Sequence, residues 1–401
     1  MRIRSIAAAV LLAACGIAHG AEPVASVRVA FDRDGVTSTH AQGMADVTAG
    51  RALTADDPAR IASVTKLLVA IGVMRLVEQG KLSLDADASR YVGYTLRNRA
   101  FPQTPITLRM LLSHTSSVTD NAGYWAVPLD ADLRILTGDP RAWDLQHKPG
   151  TYFRYSNLNF PIIAGAVERA SGQRFDRYML EQVIAPLELK ACPNWSGCDA
   201  ATLARAVVLY DAQGKPQRDD LKGAAPDCLV PKAKDGSCDV DAHWRPGANG
   251  VLYAPQGGMR ISANDLARVG RMLLNNGELD GVRVLRPASV RTLLTPVWTF
   301  DGGNGAIIEE DEPDRGGFFC RYGLAVQHLS SGDGKACRDD LFGDGKRRLG
   351  HSGNAYGLLS GLWIDPAAGT GVAYFATGAS NASNGAHSAF SAVEEGLAAG
   401  R

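Results

Sequence analysis

Residues 63–71 read SVTKLLVAI and begin an apolar run that continues to Gly80. The first turns of this run are apolar on nearly every face, which predicts a central, buried helix over residues 62–80. Ser63 and Lys66 are three residues apart, so a helix places the hydroxyl and the amine on one face, a turn apart. This layout is typical of a serine nucleophile with its own base. Since roughly one Ser-x-x-Lys is expected by chance in a chain of this size, the pair needs support from other motifs.

The composition is that of an ordinary soluble globular protein. The chain has 401 residues, 45% of them hydrophobic and 21% charged, which is enough for a sizeable core. The 42 basic and 42 acidic residues cancel, and no basic tract stands out. A nucleic-acid partner is therefore not expected. No segment after residue 20 reaches eighteen consecutive apolar residues, so we expect no transmembrane span in the mature chain.

The N-terminus predicts export. Residues 1–20 combine two arginines, an apolar stretch and the small-residue site Ala18–Gly20, as in a signal peptide. A second interpretation competes, because Leu12–Cys15 resembles a bacterial lipobox. In that case residues 1–14 would be removed and Cys15 would carry a lipid anchor. Either alternative predicts an exported protein, periplasmic or secreted, or anchored to the membrane as a lipoprotein.

The later cysteines agree with export. They are Cys192, Cys198, Cys228, Cys238, Cys320 and Cys337. An even number of cysteines in an exported chain indicates disulfides. Of the fifteen possible pairings we expect the sequential one, 192–198, 228–238 and 320–337. A metal site is disfavoured because no Cys-x-x-Cys is present, and buried free thiols remain the alternative.

Strand patterns lie at both ends of the chain, with helical patterns between them. Alternating apolar residues predict strands over 27–31, 358–364 and 372–377, and a last helix over 386–397. The simplest arrangement is an α+β fold, in which a sheet from both termini carries an inserted helical lobe. Residues 24–401 are thus interpreted as a single domain. Its sheet lobe would span about 24–80 and 301–401, and its helical lobe about 81–300.

A second candidate motif is Tyr155-Ser156-Asn157, at the turn that enters a predicted helix. A phenol can shuttle a proton where nearby cations favour its charged form. An amide at Asn157 can bind both a substrate carbonyl and the lysine. The alternative is that these are ordinary residues of a helix-entry turn.

A third candidate motif is His351-Ser352-Gly353, shortly before the strand at Leu358. An edge strand beside a nucleophile can bind substrate backbone, and the glycine permits close approach. The backbone N–H after the glycine could complete an oxyanion hole with that of Ser63. The alternative is a simple turn.

The three motifs in this order resemble those of the serine β-lactamase and penicillin-recognising hydrolases. The resemblance is to the class C β-lactamase, D-alanyl-D-alanine carboxypeptidase and esterase branch, over about residues 24–400. Leu111–Ser116, Ala185–Leu187 and Ser262–Arg268 are similar to family segments as well. The resemblance implies an α/β/α sandwich with an antiparallel sheet, a mostly helical second lobe and a site between them. It implies no cofactor and no metal.

The resemblance also implies roles for the motif residues. Ser63 would attack a carbonyl and form an acyl-enzyme, while Lys66 and Tyr155 would share the proton transfers. Tyr155 would activate the hydrolytic water, and Asn157 would hold substrate and lysine.

The third motif would complete the site. The oxyanion hole would consist of the amides of Ser63 and Asn354. His351 would lie opposite Tyr155, where it could tune the phenol or bind a substrate carboxylate. Ser352 and Gly353 would lie on the edge strand that binds the substrate backbone.

One departure refines the expected function. Class C β-lactamases usually carry Lys-Thr-Gly where this chain has His351, and a histidine there is more similar to the carboxypeptidase, D-aminopeptidase and esterase members. We therefore predict a serine hydrolase that acts on a peptide, a small amide or an ester. The alternatives are a class C-like β-lactamase and a protein that binds penicillin or cell-wall fragments without turnover. A histidine also predicts a pH dependence near neutrality. Ser113 and His114 are not expected to form a catalytic pair, because adjacent residues on a helix end do not face each other.

Overall fold

The structure is a computed structural model that describes residues 22–217, 228, 230–308, 315–330, 336–382 and 384–400. The predicted signal peptide and lipobox lie outside the described residues. The strands are β1 Ala25–Asp32, β2 Val36–Asp46, β3 Arg51–Ala52, β4 Ala59–Arg60, β5 Cys192–Pro193, β6 Met259–Ile261, β7 Glu278–Leu279, β8 Val282–Arg283, β9 Trp298–Thr299, β10 Arg321–Tyr322, β11 Gln327–Leu329, β12 Arg348–Ala355, β13 Leu358–Asp365 and β14 Thr370–Thr377.

The helices lie mostly between β4 and β9. They are α1 Thr65–Glu78, α2 Ser89–Val92, α3 Leu108–Leu112, α4 Arg134–Thr137, α5 Asn159–Ser171, α6 Phe175–Met179, α7 Ala200–Ala204, α8 Val240–His243, α9 Ala263–Leu274, α10 Pro287–Leu294 and α11 Ala392–Ala399. Within the described ranges, none of them is long and apolar enough to cross a membrane.

The main sheet joins the two ends of the chain, as predicted. Its nine strands follow the order β3-β2-β1-β14-β13-β12-β11-β10-β9. The first and last strands pair antiparallel along their whole length, from Ala25↔Thr377 to Asp32↔Thr370. The first strand of the chain is therefore held in the sheet by the last strand.

Helices cover both faces of this sheet, which confirms the predicted sandwich. On one face α9 packs so closely that a Cβ added at Gly270 would lie 2.2 Å from the Phe31 ring. On the other face the Arg28 guanidinium donates to the carbonyl of Leu397 in α11, at 2.7 Å. Phe31 and Arg28 lie on opposite faces because strand side chains alternate.

The central helix is the one predicted from residues 62–80. It consists of a 3-10 turn over Ala62–Val64 followed by α1, whose residues from Thr65 to Met74 are all buried. Gly80 follows with a left-handed φ of 71°, a conformation that glycine adopts readily and that commonly ends helices. Because α1 is buried on every side, its sequence shows no polar stripe.

The last helix begins later than predicted, at Ala392 rather than residue 386. Ser391 and Glu394 form a reciprocal capping box that starts α11. The preceding residues form a loop because the Glu395 carboxylate accepts hydrogen bonds from the backbone N–H groups of Ala386 and His387, both at 2.8 Å.

The six later cysteines form three disulfides with the expected sequential pairing. They are Cys192–Cys198, Cys228–Cys238 and Cys320–Cys337, with Cα–Cα distances of 5.0, 5.4 and 5.9 Å. These distances lie within the range that a disulfide spans without moving the backbone.

We predict that thiol titration of the denatured, unreduced protein detects at most the thiol of Cys15. The chain has seven cysteines and six of them are paired, which leaves one. Reduction before titration is the control and should release the remaining thiols. Six or more thiols without reduction would contradict the pairing.

Candidate active site

The first two predicted residues meet at the start of α1. Lys66 Nζ lies 2.9 Å from Ser63 Oγ, within hydrogen-bond distance. Ser63 belongs to the 3-10 turn that precedes the helix, and the residue before it, Ala62, has a left-handed φ of 44°. Such conformations are strained for non-glycine residues and cluster at functional sites.

Lys66 is wholly buried, with 0% of its surface exposed. Besides Ser63, its Nζ donates to Asn157 Oδ1 at 2.9 Å and to the main-chain carbonyl of Gln256 at 2.8 Å. Its Nζ also lies 4.8 Å from the Tyr155 ring centroid and 5.3 Å from that of Phe160. A buried amine needs such partners, because an ammonium without them is very costly to bury. The expected contact between Asn157 and the lysine is therefore present.

An acidic residue that the sequence analysis missed holds the second motif in place. The Asp120 carboxylate accepts hydrogen bonds from Ser156 Oγ at 2.8 Å, from the backbone N–H of Asn157 at 2.9 Å and from its Nδ2 at 3.0 Å. It also accepts the N–H of Leu158 at 2.8 Å. Because Nδ2 is bound to Asp120, Oδ1 of Asn157 is directed to Lys66. No local sequence pattern marks Asp120, since its partners are more than thirty residues away.

Tyr155 is buried among rings, with 5% of its surface exposed. Its ring stacks on His114 with centroids 4.3 Å apart and on Phe319 with centroids 4.9 Å apart. The His351 ring lies further off, at 6.3 Å. His114 thus reaches the site, whereas the hydroxyl of its neighbour Ser113 bonds to Thr115 at 3.0 Å. The expectation that Ser113 and His114 form no catalytic pair agrees with this geometry.

The environment of His351 contradicts the expected pH dependence near neutrality. Its imidazole is buried, and Nδ1 contacts the carbonyl of Ser352. Since a carbonyl only accepts, Nδ1 carries the proton and Nε2 accepts from the Tyr322 hydroxyl at 2.6 Å. Burial and, secondarily, the positive charge of Lys66 lower the pKa of His351 to about 3. The ring therefore stays neutral near pH 7, and both nitrogens are engaged rather than directed to a substrate carboxylate.

The third motif brings β12 against the backbone of the nucleophile. A Cβ added at Gly353 would lie 2.5 Å from the carbonyl of Ile61 and 3.1 Å from the Ser63 nitrogen. Only glycine allows this approach. The Ser352 hydroxyl, in contrast, donates to Gln327 Oε1 at 3.2 Å and is 5% exposed. The oxyanion hole formed by the Ser63 and Asn354 amides stays a prediction.

One edge of β12 is only partly paired with a neighbouring strand. β11 pairs with β12 only over Arg348–Gly350, whereas β13 pairs with it as far as Ala355. Beyond Gly350, no strand of the described chain covers that edge of β12. The edge can therefore offer backbone groups to an extended substrate. Within the described ranges no group of side chains is arranged to hold a metal ion.

Comparisons with known proteins bear on the family and the fold of the chain. Residues 14–395 match the family model described as Beta-lactamase. Esterase EstB from Burkholderia gladioli is 33% identical over 218 residues, which cover 49% of this chain and 52% of the esterase. This chain thus spans about half the length of that curated relative.

Two solved structures share the fold over most of their length. A class C β-lactamase from Rhodobacter sphaeroides has a TM-score of 0.63 at 17% identity, covering 94% of this chain and 93% of that chain. The D-amino acid amidase from Ochrobactrum anthropi SV3 has a TM-score of 0.60 at 18% identity, covering 88% and 87%. At such identities the likeness shows a β-lactamase/transpeptidase fold and not an activity.

Proposed function

Because this chain belongs to the Beta-lactamase family, whose members are serine hydrolases, we propose that it hydrolyses an amide or ester through an acyl-enzyme on Ser63. The observation that carries the proposal is the 2.9 Å contact between Lys66 Nζ and Ser63 Oγ in a buried site. A hydroxyl at this distance from an amine can lose its proton as it attacks.

In the acylation step, Ser63 Oγ attacks the substrate carbonyl carbon and its proton passes to Lys66 Nζ. This step needs the amine without its third proton, and the hydrogen bonds to Asn157 and Gln256 hold its nitrogen in place. The negative charge that develops on the carbonyl oxygen is stabilised by the backbone N–H groups of Ser63 and Asn354. Collapse of the intermediate breaks the bond to the leaving group, which takes the proton from Lys66 Nζ and departs as an alcohol or amine, leaving the acyl-enzyme.

In the deacylation step, the Tyr155 oxygen takes a proton from a water molecule as the water attacks the acyl carbonyl, and Tyr155 passes its own proton to Lys66 Nζ. Ser63 Oγ regains that proton from Lys66 as the acid product leaves. Tyr155 suits this role because it lies beside Lys66, which favours the charged form of the phenol during proton transfer. Asn157 holds the substrate as well as the lysine. Lys66 and Tyr155 are both in place, which favours turnover over the alternative of a binding protein that is only acylated.

The substrate is proposed to be a peptide of the D-Ala-D-Ala type, a small amide or an ester, ahead of a β-lactam. His351, in place of a lysine, supports this order, because a neutral buried ring provides no cation beside Tyr155. The name of the relative EstB and that of the similar D-amino acid amidase favour the same classes. Three disulfides support export to the periplasm or beyond, by a cleaved signal peptide or with a lipid at Cys15.

The test compares wild type, Ser63→Ala and the control Ser38→Ala, which removes an exposed hydroxyl in β2. Each protein is incubated with a fluorescent penicillin and, separately, with a short-chain p-nitrophenyl ester, and intact masses and ester turnover are measured. We expect ester turnover in wild type and S38A and a loss of at least about a thousand-fold in S63A.

Three outcomes distinguish the candidates. Ester turnover without a penicillin adduct supports an esterase or amidase, whereas a long-lived penicillin adduct on Ser63 supports a carboxypeptidase or a sensor. Rapid hydrolysis of the penicillin would support the β-lactamase alternative. A folded S63A that keeps full activity would refute the acyl-serine mechanism.

A further inference from the structure

His114 is bonded to residues on both sides of Tyr155, through its ring on one side and through its main-chain carbonyl on the other. Its Nδ1 accepts the backbone N–H of Ser156 at 3.1 Å and faces Asn159 Nδ2 at 3.2 Å. The Ser116 hydroxyl donates to Asn159 Oδ1 at 2.7 Å, which directs the amide nitrogen of Asn159 towards His114. The carbonyl of His114 accepts the N–H of Arg154 at 2.9 Å. His114 therefore holds the chain directly before and directly after the tyrosine.

These contacts determine the form of the imidazole. Because Nδ1 accepts hydrogen bonds, the proton of the neutral ring is on Nε2. Burial, with the nearby charge of Lys66, keeps the pKa of His114 well below its usual range, so the ring is neutral. Nε2 is buried and has no hydrogen-bond partner within the described residues. Apart from the stacked ring of Tyr155, the nearest aromatic ring to His114 is that of Tyr322, which lies edge-on with the centroids 5.1 Å apart.

An imidazole of this kind is poorly placed to relay a proton. Its Nδ1 already accepts the backbone N–H of Ser156. Its Nε2–H is buried, and aromatic rings surround the imidazole. Its large face, in contrast, covers the ring of Tyr155 at 4.3 Å with an interplanar angle of 28°. Stacked rings of this kind gain from dispersion and from their quadrupoles, which favours one orientation of the phenol.

We propose that His114 is a positioning residue that orients the phenol of Tyr155 through the stacked face of its ring. The proposal rests on the proposed function in that Tyr155 is taken to activate the hydrolytic water. His114 itself touches neither the substrate nor the reacting atoms. It acts through Tyr155 and through the turn at Ser156, which leads to Asn157.

The test is a matched pair of histidine-to-asparagine variants. His114→Asn keeps an acceptor near the position of Nδ1 and suits the left-handed φ of 55° at this residue, but removes the ring. His147→Asn is the control, since His147 also stacks on a tyrosine, Tyr152, at 3.7 Å. We expect H114N to lower kcat by about 10- to 100-fold with little change in KM, because misplaced catalytic groups cost such factors. H147N should keep wild-type kcat.

Two further measurements connect the effect to Tyr155. In a double-mutant cycle with Tyr155→Phe, H114N should cause little additional loss, because residues that act through one another are not additive. Nitration by tetranitromethane, followed by peptide mass spectrometry, should modify Tyr155 faster in H114N than in wild type or H147N. The nitration readout needs no activity, so it tests the positioning even if the wild type forms no acyl-enzyme and the proposed function fails.

The proposal would be overturned by a folded H114N with wild-type kcat and unchanged nitration of Tyr155. It would also be overturned if H114N lowered kcat equally in the presence and absence of the Tyr155 hydroxyl. If H114N does not fold, His114→Phe provides the second readout, since it keeps an aromatic ring and loses both ring nitrogens. H114F should protect Tyr155 from nitration as the wild type does, and rapid nitration in folded H114F would refute the role of the ring.

Discussion

Lys66→Met is expected to reduce kcat/KM by at least about ten-thousand-fold, a loss typical of removing one member of a catalytic unit. Methionine has nearly the length of lysine and is apolar, so it suits a wholly buried position beside the rings of Tyr155 and Phe160. It cannot accept the proton of Ser63. The acylation step should therefore fail while substrate still reaches the cleft.

The stability of K66M should change much less than its activity. The substitution leaves Asn157 Oδ1 and the Gln256 carbonyl without the amine that they now bind, and each unsatisfied buried acceptor costs about 1–3 kcal/mol. Removal of a buried amine offsets part of this cost. Thermal unfolding followed by circular dichroism, together with single-turnover acylation of Ser63, measures the two effects separately.

Lys148→Met is the control for K66M, because it removes an amine that is exposed. It should keep wild-type acylation. If folded K66M were acylated at a rate within about tenfold of wild type, a group other than Lys66 would have to accept the serine proton.

The serine–lysine pair could be predicted from sequence because its geometry is local. Because Ser63 and Lys66 are three residues apart at the start of a helix, their side chains lie on one face independently of the rest of the fold. The sheet from both chain ends was predictable for a similar reason, since Val27 and Val29 alternate with Arg28 as a strand with two different faces requires. Resemblance to a family supplied the specific roles of Tyr155 and Asn157, whose approach to Lys66 depends on long-range folding.

The parts of the site that could not be predicted depend on burial and on distant partners. Asp120 looks like any loop aspartate until its bonds to Ser156 and Asn157 are seen. His114 was considered only with Ser113, its neighbour in sequence, whereas its contacts are with Tyr155. From the sequence we expect a pKa near neutrality for His351, because the motif His-Ser-Gly does not show whether the ring is buried.

Asp120→Asn is expected to lower kcat by about 10- to 100-fold, the range for a slightly misplaced catalytic group. The carboxylate accepts four hydrogen bonds from Ser156, Asn157 and Leu158. An amide has one acceptor atom in place of two, so its NH2 group would face a donor. The turn would shift, and Asn157 would no longer be held with Oδ1 towards Lys66.

The same substitution should lower the free energy of unfolding by about 1–3 kcal/mol, because buried donors lose their acceptor. Asp365→Asn is the matched control, since Asp365 also accepts two backbone N–H groups in a turn, those of Ala367 and Ala368. D365N should keep wild-type kcat and most of its stability, because both N–H groups bind Oδ1, an acceptor that an amide retains. Equal kcat losses in both variants, at equal stability, would show that Asp120 does not position the site.

The Cys320–Cys337 bridge lies next to the aromatic side of the candidate site. Ser63 and Lys66 meet within one helical turn and need no cystine. Phe319, which stacks on Tyr155, is the residue before Cys320, and Tyr322, which bonds to His351, follows two residues after it. Oxidation ties this segment across a separation of 17 residues. The bridge thus constrains the segment that carries two of the rings around Tyr155 and His351, whereas the contact between Ser63 and Lys66 is local to one helical turn.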